Sequence, residues 1–319
     1  MTREIKKPMF FAGLSRVKNE SDIIEAFVRH NAALLDQLII VDNDSCDGTA
    51  AILRSLEQEG LPLIVLTDET FGYFQSEIMT YLARATLAAT GIDRLFLLDA
   101  DEFLVARSRD DLEKQLATIP YETHALLPCK TYVPTPEDVL TQANPVARMT
   151  RRLTREHRQF YKVALSRSFL YAPYAVITQG NHNVESEEPD TSTFRLPGVP
   201  LAHFPIRSIE QMQRKALVGW SAYMVAGVEE RGGYQWRALF ERLTCGRAWS
   251  KADFYEFAAG YPEGPIPPQD VELVDEPLPA DYAMRYLELA NADPLFAAAA
   301  TIESLSRHLA AAHAGTDPA

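Results

Sequence analysis

Short apolar runs alternate with helix-like stretches over the first 120 residues of this 319-residue chain. Four of these runs have the length and composition of strands that are buried on both faces: Met9–Leu14, Leu38–Val41, Leu63–Leu66 and Leu95–Leu98. Such an alternation favours an α/β fold, in which helices cover a largely parallel sheet. Because ligands bind beyond the carboxyl ends of strands in these sheets, the polar residues after each run are candidates for a site.

Helix signals fill the intervals between the strands. Asp22, followed three residues later by Glu25, predicts the start of a first helix. Gly60 predicts the end of a second helix, and Gly91 predicts the end of a third that begins near Gln75. The sequence therefore predicts a Rossmann-type mixed, mostly parallel sheet that is flanked by helices.

Three carboxylates, Asp99, Asp101 and Glu102, interrupt the apolar run at the end of the fourth strand. On an extended backbone Asp99 and Asp101 point to the same side, and uncompensated carboxylates at a buried edge repel one another. Oxygen ligands of this kind suit Mg²⁺ or Mn²⁺. The alternative is a pair of solvated aspartates, with Glu102 at the entry to a helix.

The loop after the second strand is rich in Asp, Asn and Ser, which form tight turns and cap helices. Its first residue, Asp42, is placed to accept hydrogen bonds from a base or ribose, as acidic residues do in nucleotide-binding folds. Asn19 and Glu20, after the first strand, face the same crevice. The loop is equally explained as a helix cap alone. The chain has neither a dinucleotide fingerprint nor a phosphate-binding P-loop, so carboxylates and a metal would have to hold a nucleotide.

Composition narrows the functional classes. The formal net charge of −13 argues against broad nucleic-acid binding, which depends on neutralising phosphates. Three widely separated cysteines lack the spacing of a metal site or a disulfide framework. No segment has the length and apolar character of a membrane span or a signal peptide. We therefore expect a cytoplasmic protein, for which peripheral membrane association stays open.

Three motifs, residues 18–20, 40–49 and 98–103, resemble in order and spacing those of bacterial family-2-like glycosyltransferases with the GT-A fold. Two of these motifs are similar to those of one subgroup of that family. They are the sequence Asp-Asn-Asp-Ser at 42–45 and the extended sequence Asp-Ala-Asp-Glu-Phe at 99–103. The resemblance implies a nucleotide-sugar donor, such as a UDP- or GDP-sugar. It places the nucleobase against Asp42, and it places the diphosphate on Mn²⁺ or Mg²⁺ held by the aspartates that flank Ala100.

A later block, residues 201–208 with Gln211 and Lys215, resembles a second block of the same subgroup. His203 is the candidate third metal ligand, because neutral imidazole binds Mn²⁺ well. Arg207 and Lys215 are candidates to neutralise the leaving diphosphate. The alternatives are a histidine buried at a strand end and two surface charges.

An inverting transfer needs a general base for the acceptor hydroxyl. The polar stretch 178–185 offers His182 and Glu185 as candidates, and nothing in the sequence chooses between them. Residues 148–167 carry seven Arg or Lys residues against one acid, Glu156. That segment is either a solvated face or a contact for an anionic acceptor or the donor's phosphates.

The sequence thus predicts a GT-A-like catalytic domain over residues 1–210 and a mainly helical extension over 211–319. The predicted activity is metal-dependent transfer of a sugar from a nucleotide diphosphate to a glycan, lipid-linked or similar acceptor, with inversion. Two other functions stay open, namely a non-catalytic nucleotide- or glycan-binding module and a nucleotidyltransferase that forms nucleotide sugars.

Overall fold

A computed structural model of the chain describes residues 8–70, 72, 74–89, 91–139, 141–186, 192–227, 233–246, 249–290, 299 and 302–303. The strands in these ranges are β1 (Phe11–Val17), β2 (Gln37–Asp42), β3 (Leu63–Thr67), β4 (Arg94–Leu97), β5 (Glu102–Leu104), β6 (His124–Thr131), β7 (Arg151–Leu153), β8 (Tyr161–Ser166), β9 (Val176–Ile177), β10 (Val184–Glu185), β11 (Thr193–Arg195), β12 (Leu201–His203) and β13 (Leu273–Asp275). The helices are α1 (Ile24–Ala32), α2 (Thr49–Gln58), α3 (Gln75–Ala89), α4 (Arg109–Leu116), α5 (Pro145–Arg148), α6 (Ile209–Ala226), α7 (Tyr234–Thr244) and α8 (Lys251–Gly260).

The main sheet has the strand order β3-β2-β1-β4-β8-β6-β12-β5, and β11 pairs with β6 beside this path. Strands β3, β2, β1 and β4 are parallel neighbours, and β6 runs parallel to β12 and β11. Strand β8 is antiparallel to both β4 and β6, and β5 is antiparallel to β12. This mixed, mostly parallel sheet confirms the predicted GT-A-like α/β fold class.

The first four strands are mostly apolar, and helices pack against both faces of the sheet that they form. Phe11 and Phe96 belong to a core that includes residues of α1 and α2. Leu14 and Leu97, which point the opposite way, pack in a second core with Met79 of α3. The predicted helix ends are also confirmed, since α2 ends just before Gly60, whose φ of +80° suits glycine.

The sheet pairing brings three polar segments to one place. Val17 at the end of β1 is level with Asp42 at the end of β2, and β4 ends on the other side of β1. Strand β12 then pairs with β5, which sets His203 opposite Glu102. Residues far apart in sequence therefore meet at the carboxyl ends of β1 and β4, where an α/β sheet binds its ligands.

The three long helices of the predicted extension lie in its first part. Helices α6, α7 and α8 share a core that includes Trp220, Trp236 and Phe257. Residues 261–290, all of them described, contain two single-turn 3₁₀ helices and β13, which pairs with β7. The mainly helical character predicted for 211–319 is therefore wrong for this part, while the domain boundary at 210 stays a prediction. In the described residues no helix is long and apolar enough to cross a bilayer.

Residues 276–290, here called the return segment, pack against the first two helices. The buried carboxylate of Glu25 accepts the backbone N–H groups of Arg285 at 2.7 Å and Tyr286 at 2.9 Å. Gly48, which precedes α2, lies so close that an added Cβ would be 1.7 Å from the carbonyl oxygen of Leu289. The amino end of α2 therefore has room for glycine alone at this contact.

Candidate active site

A cavity of about 380 Å³ opens at the carboxyl ends of β1 and β4. Its volume lies within the range of ligand-binding clefts, roughly 300 to 1,000 Å³. Eight of the residues selected from the sequence line it: Asn19, Glu20, Asp99, Ala100, Asp101, His182, His203 and Lys215. Residues of β1, β8, β12 and α6, and of the segment that follows β4, are thus brought together around one space.

Lys162 of β8 is the counter-charge of Asp99. Its ammonium group pairs with Asp99 Oδ2 and lies 3.1 Å from Glu102 Oε1, and its side chain is only 3% exposed. Asn181 donates a weaker hydrogen bond, of 3.4 Å, to Asp99 Oδ1. A buried cation therefore joins two of the three predicted carboxylates.

The protonation states follow from burial and these neighbours. Burial alone would lower the pKa of Lys162, but Asp99 and Glu102 outweigh it and hold that pKa above its usual value. Burial raises the pKa of Glu102 to about 8, in spite of Lys162. Lys162 is therefore an ammonium at neutral pH, while Glu102 is largely protonated.

Asp101 lies deeper and has three basic neighbours. Lys215 Nζ is 2.6 Å from its Oδ2, Arg207 Nη1 is 3.6 Å from the same oxygen, and His203 Nε2 is 3.8 Å from Oδ1. Burial would raise the pKa of Asp101, but these groups hold it well below its usual range. Burial lowers the pKa of His203 to about 4, so its imidazole is neutral at pH 7.

The donor types around the cavity fit Mn²⁺ or Mg²⁺, since ionised carboxylates and a neutral imidazole are suitable ligands. Their present partners are lysines, however, and in the described part of the chain no three Asp, Glu, His or Cys side chains meet in a geometry that would hold a metal. The predicted set of Asp99, Asp101 and His203 is not assembled, because Lys162 and Lys215 hold the two carboxylates. Metal binding therefore requires the lysine ammonium groups to move away.

A comparison with known protein families identifies the family of this chain. Residues 16–177, slightly more than half of the chain, match the sequence profile described as Glycosyl transferase family 2. The chain belongs to glycosyl transferase family 2. It is therefore a glycosyltransferase that uses a nucleotide sugar.

Solved structures also resemble this glycosyltransferase. The S. aureus protein TarS, residues 1–349, is 15% identical with a TM-score of 0.39, and the match covers 75% of this chain and 73% of that chain. Glucosyl-3-phosphoglycerate synthase from Mycobacterium tuberculosis, in complex with Mn²⁺, UDP and glucosyl-3-phosphoglycerate, is 13% identical with a TM-score of 0.32, covering 76% and 82%. With TM-scores this low, these likenesses add no argument to the family match. A comparison with curated protein sequences finds no match.

Asp42 is not among the residues that line the cavity of the glycosyltransferase, and its contact with the base stays a prediction. As the last residue of β2 it is 5% exposed, and burial raises its pKa. The next residue, Asn43, lines the cavity instead, and its amide donates to the carbonyl oxygens of Asp68 and Thr70, both at 2.9 Å. The strand therefore ends one residue later than predicted, at Asp42.

Arg207 is also absent from the cavity wall. Its side chain is fully buried, and its guanidinium pairs with Glu20 at 2.6 Å and with Asp22 at 2.7 Å. It also donates to the carbonyl oxygen of Phe204 at 3.0 Å. These contacts tie Arg207 to the fold, and its predicted contact with a diphosphate stays a prediction, whereas Lys215 does reach the cavity.

The structure distinguishes the two candidate bases by their positions relative to the cavity. Glu185 is exposed at the end of β10 and does not line the cavity. His182 lines it, and its Nδ1 lies 2.8 Å from the carbonyl oxygen of Tyr161, so Nδ1 is the protonated nitrogen and Nε2 is available as an acceptor. Gly180 has φ of +70°, and an added Cβ would lie 2.4 Å from His182 Nε2. The loop therefore needs glycine next to this imidazole.

Several cavity residues were not singled out by the sequence analysis. Lys162 was grouped with a basic segment, where only its apolar neighbours along β8 distinguish it from an exposed lysine. Tyr223, Trp236 and Tyr261 also line the cavity. Of these, Tyr223 and Trp236 are buried side chains that also face the cavity.

Proposed function

We propose that this enzyme transfers a sugar from a nucleotide diphosphate to a glycan, lipid-linked or similar acceptor, with inversion and with the help of Mn²⁺ or Mg²⁺. The observation that carries the proposal is the meeting of Lys162, Lys215, two aspartates and two histidines around one cavity. Such a set can bind an anionic leaving group and accept a proton within a single space.

The leaving diphosphate is assigned to the two lysines. Both ammonium groups line the cavity, and nearby carboxylates keep the pKa of each above its usual value. Negative charge accumulates on the diphosphate as the bond to the sugar breaks, so fixed cations stabilise that stage most. Arg16, Lys18 and Asn43, at the other end of the lining, are placed for the nucleoside.

Asp99, Asp101 and His203 would hold the metal ion. When bound there, Mn²⁺ or Mg²⁺ would neutralise charge on the donor diphosphate. The neutral state of His203 and the ionised state of Asp101 are the forms that a metal requires.

His182 is assigned as the general base. Its Nε2 takes the proton of the acceptor hydroxyl while the acceptor oxygen bonds to the anomeric carbon. The electron pair of the breaking glycosyl–phosphate bond leaves with the diphosphate, on the opposite face of the sugar. Burial lowers the pKa of His182 to about 4, so the base is unprotonated at neutral pH.

Calorimetric titration with UDP and with GDP, in Mn²⁺ or in chelator, tests the donor site. We expect one nucleotide to bind in Mn²⁺, and we expect Asp101→Asn to weaken that binding by roughly 100-fold or more. Asp110→Asn, an exposed carboxylate on α4, is the control. Unchanged nucleotide affinity in Asp101→Asn would contradict the donor site.

Product formation tests the base. His182→Gln keeps a polar side chain but removes the basic nitrogen, so kcat should fall by about 10²- to 10⁴-fold while donor affinity stays the same. Normal turnover in this variant would remove His182 from the mechanism. Donor binding without transfer in the wild-type enzyme would instead favour a non-catalytic module. Cytoplasmic location stays a prediction.

A further inference from the structure

A second concave surface joins the donor cavity on the side of β7 and β8. This surface, here called the basic groove, is lined by four cationic side chains: Lys130, Arg152, Arg155 and Arg195. Its volume is about 800 Å³, enough for more than one sugar ring. Cys129, Glu156 and His157 line both the groove and the donor cavity, so the two spaces adjoin.

The groove carries excess positive charge. Lys130 and Arg152 share one carboxylate, that of Glu276, so two cations face a single anion. Arg155 and Arg195 are exposed, and no described residue forms an ion pair with either of them. Arg195 instead lies over the ring of Tyr161, with its guanidinium carbon 5.2 Å from the ring centroid.

Glu156 is the only carboxylate among the described residues that line the groove. Its two oxygens accept the backbone N–H of Thr131 at 2.8 Å and the hydroxyl of the same residue at 2.7 Å. The carboxylate therefore fixes the 154–159 loop to β6, and it pairs with none of the groove's cations in a described ion pair. This local charge is opposite to the chain's net charge of −13.

Tyr161 connects the groove to the proposed base. The side chain of Tyr161 lines the groove, while its backbone carbonyl holds His182 Nδ1 at 2.8 Å. An acceptor lying in the groove would thus have a hydroxyl directed toward His182 and the donor sugar. The rest of the acceptor would lie against the arginines.

We propose that the basic groove binds the acceptor, and that the acceptor carries an anionic group, a phosphate or a carboxylate, next to the hydroxyl that receives the sugar. This inference rests on the proposed function of the adjoining cavity. A negatively charged protein repels anionic molecules in general, so a local cationic groove selects them at one place. Arg155 and Arg195 supply planar N–H donors that match either anion.

The test is calorimetric titration of enzyme saturated with Mn²⁺ and with whichever of UDP and GDP it binds. The probes are glucose 6-phosphate, glucuronate and the neutral methyl glucoside, and the first two distinguish phosphate from carboxylate. The variants are Arg155→Gln with Arg195→Gln, and Arg54→Gln, an exposed arginine on α2, as control. We expect at least one anionic probe to bind the wild-type enzyme more tightly than methyl glucoside does, and to bind about tenfold more weakly to the double variant.

Two results would overturn the proposal. One is that neither anion binds better than methyl glucoside, or that the double variant binds anions as the wild-type enzyme does. The other is a loss of nucleotide affinity in the double variant, which would assign the groove to the donor. If the wild-type enzyme binds neither UDP nor GDP, the proposed function fails by itself, and the same titrations without a nucleotide still test whether the groove binds anions.

Discussion

Arg207 and Lys215 approach the same oxygen of Asp101 from neighbouring parts of the chain, yet their surroundings differ. The Arg207 side chain is fully buried and is held by Glu20, Asp22 and a backbone carbonyl. The Lys215 side chain is 27% exposed and faces the cavity. The comparison shows that one cation next to Asp101 has its donors satisfied by protein groups, whereas the other faces open space. Under the proposed function, the first stabilises the fold and the second binds the ligand.

Removal of Arg207 should have the largest effect. Arg207→Met leaves Glu20 and Asp22 buried without their main partner, so the free energy of unfolding should fall by about 3–5 kcal/mol. Urea denaturation followed by circular dichroism measures this change. A loss below about 1 kcal/mol would contradict the distinction between the two cations, because Arg207 would then contribute little to the stability of the fold.

Acid should weaken the same ion pair. Burial would raise the pKa of Asp22, but Arg207 and Arg214 outweigh it and lower that pKa to about 2. The stabilisation is therefore complete above the unfolded pKa near 3.8 and is lost as the pH falls through about 2. The loss should amount to about 2 kcal/mol.

Urea midpoints at several pH values between 5 and 2 measure this dependence. Other carboxylates titrate in the same range, so the comparison is between the wild-type enzyme and Asp22→Asn. The variant should lose less stability across the range than the wild-type enzyme does. Parallel curves for the two proteins would show that Asp22 does not contribute through its charge.

Lys215→Met should have the smallest effect on folding. Asp101 keeps Arg207 nearby, so we expect stability to fall by only about 1 kcal/mol. The affinity for the nucleotide in Mn²⁺ should fall by about tenfold, since one charge-assisted contact is removed. Unfolding and calorimetric titration of the same preparation separate the two effects. A stability loss as large as that of Arg207→Met would contradict the comparison.

The sequence predicted the first four strands well because each is a short apolar run, and three of the four are largely buried. It also placed the acidic residues at the correct edge of the sheet. The short strands β5, β7, β11 and β12 carry no such signal, since their pairing depends on partners far along the chain. Strand β5, for example, pairs with β12, and the register sets His203 opposite Glu102.

Side-chain roles were harder to predict than positions. Asp42 and Asn43 are adjacent, and only the exact end of β2 decides which of them faces the cavity. Lys162 contacts Asp99 across 63 positions of sequence, and Arg207 reaches Glu20 across 187. Composition and spacing cannot show such pairings, because they are set by the packing of the completed sheet.

The return segment has a consequence for synthesis on the ribosome. The partners of Glu25 at Arg285 and Tyr286 lie 260 and 261 positions later in the chain. While the nascent chain is emerging, this carboxylate has Arg29 as a partner but lacks the two backbone donors of the finished protein. The contacts between the return segment and the first two helices therefore form only late in translation, after the rest of the chain has emerged.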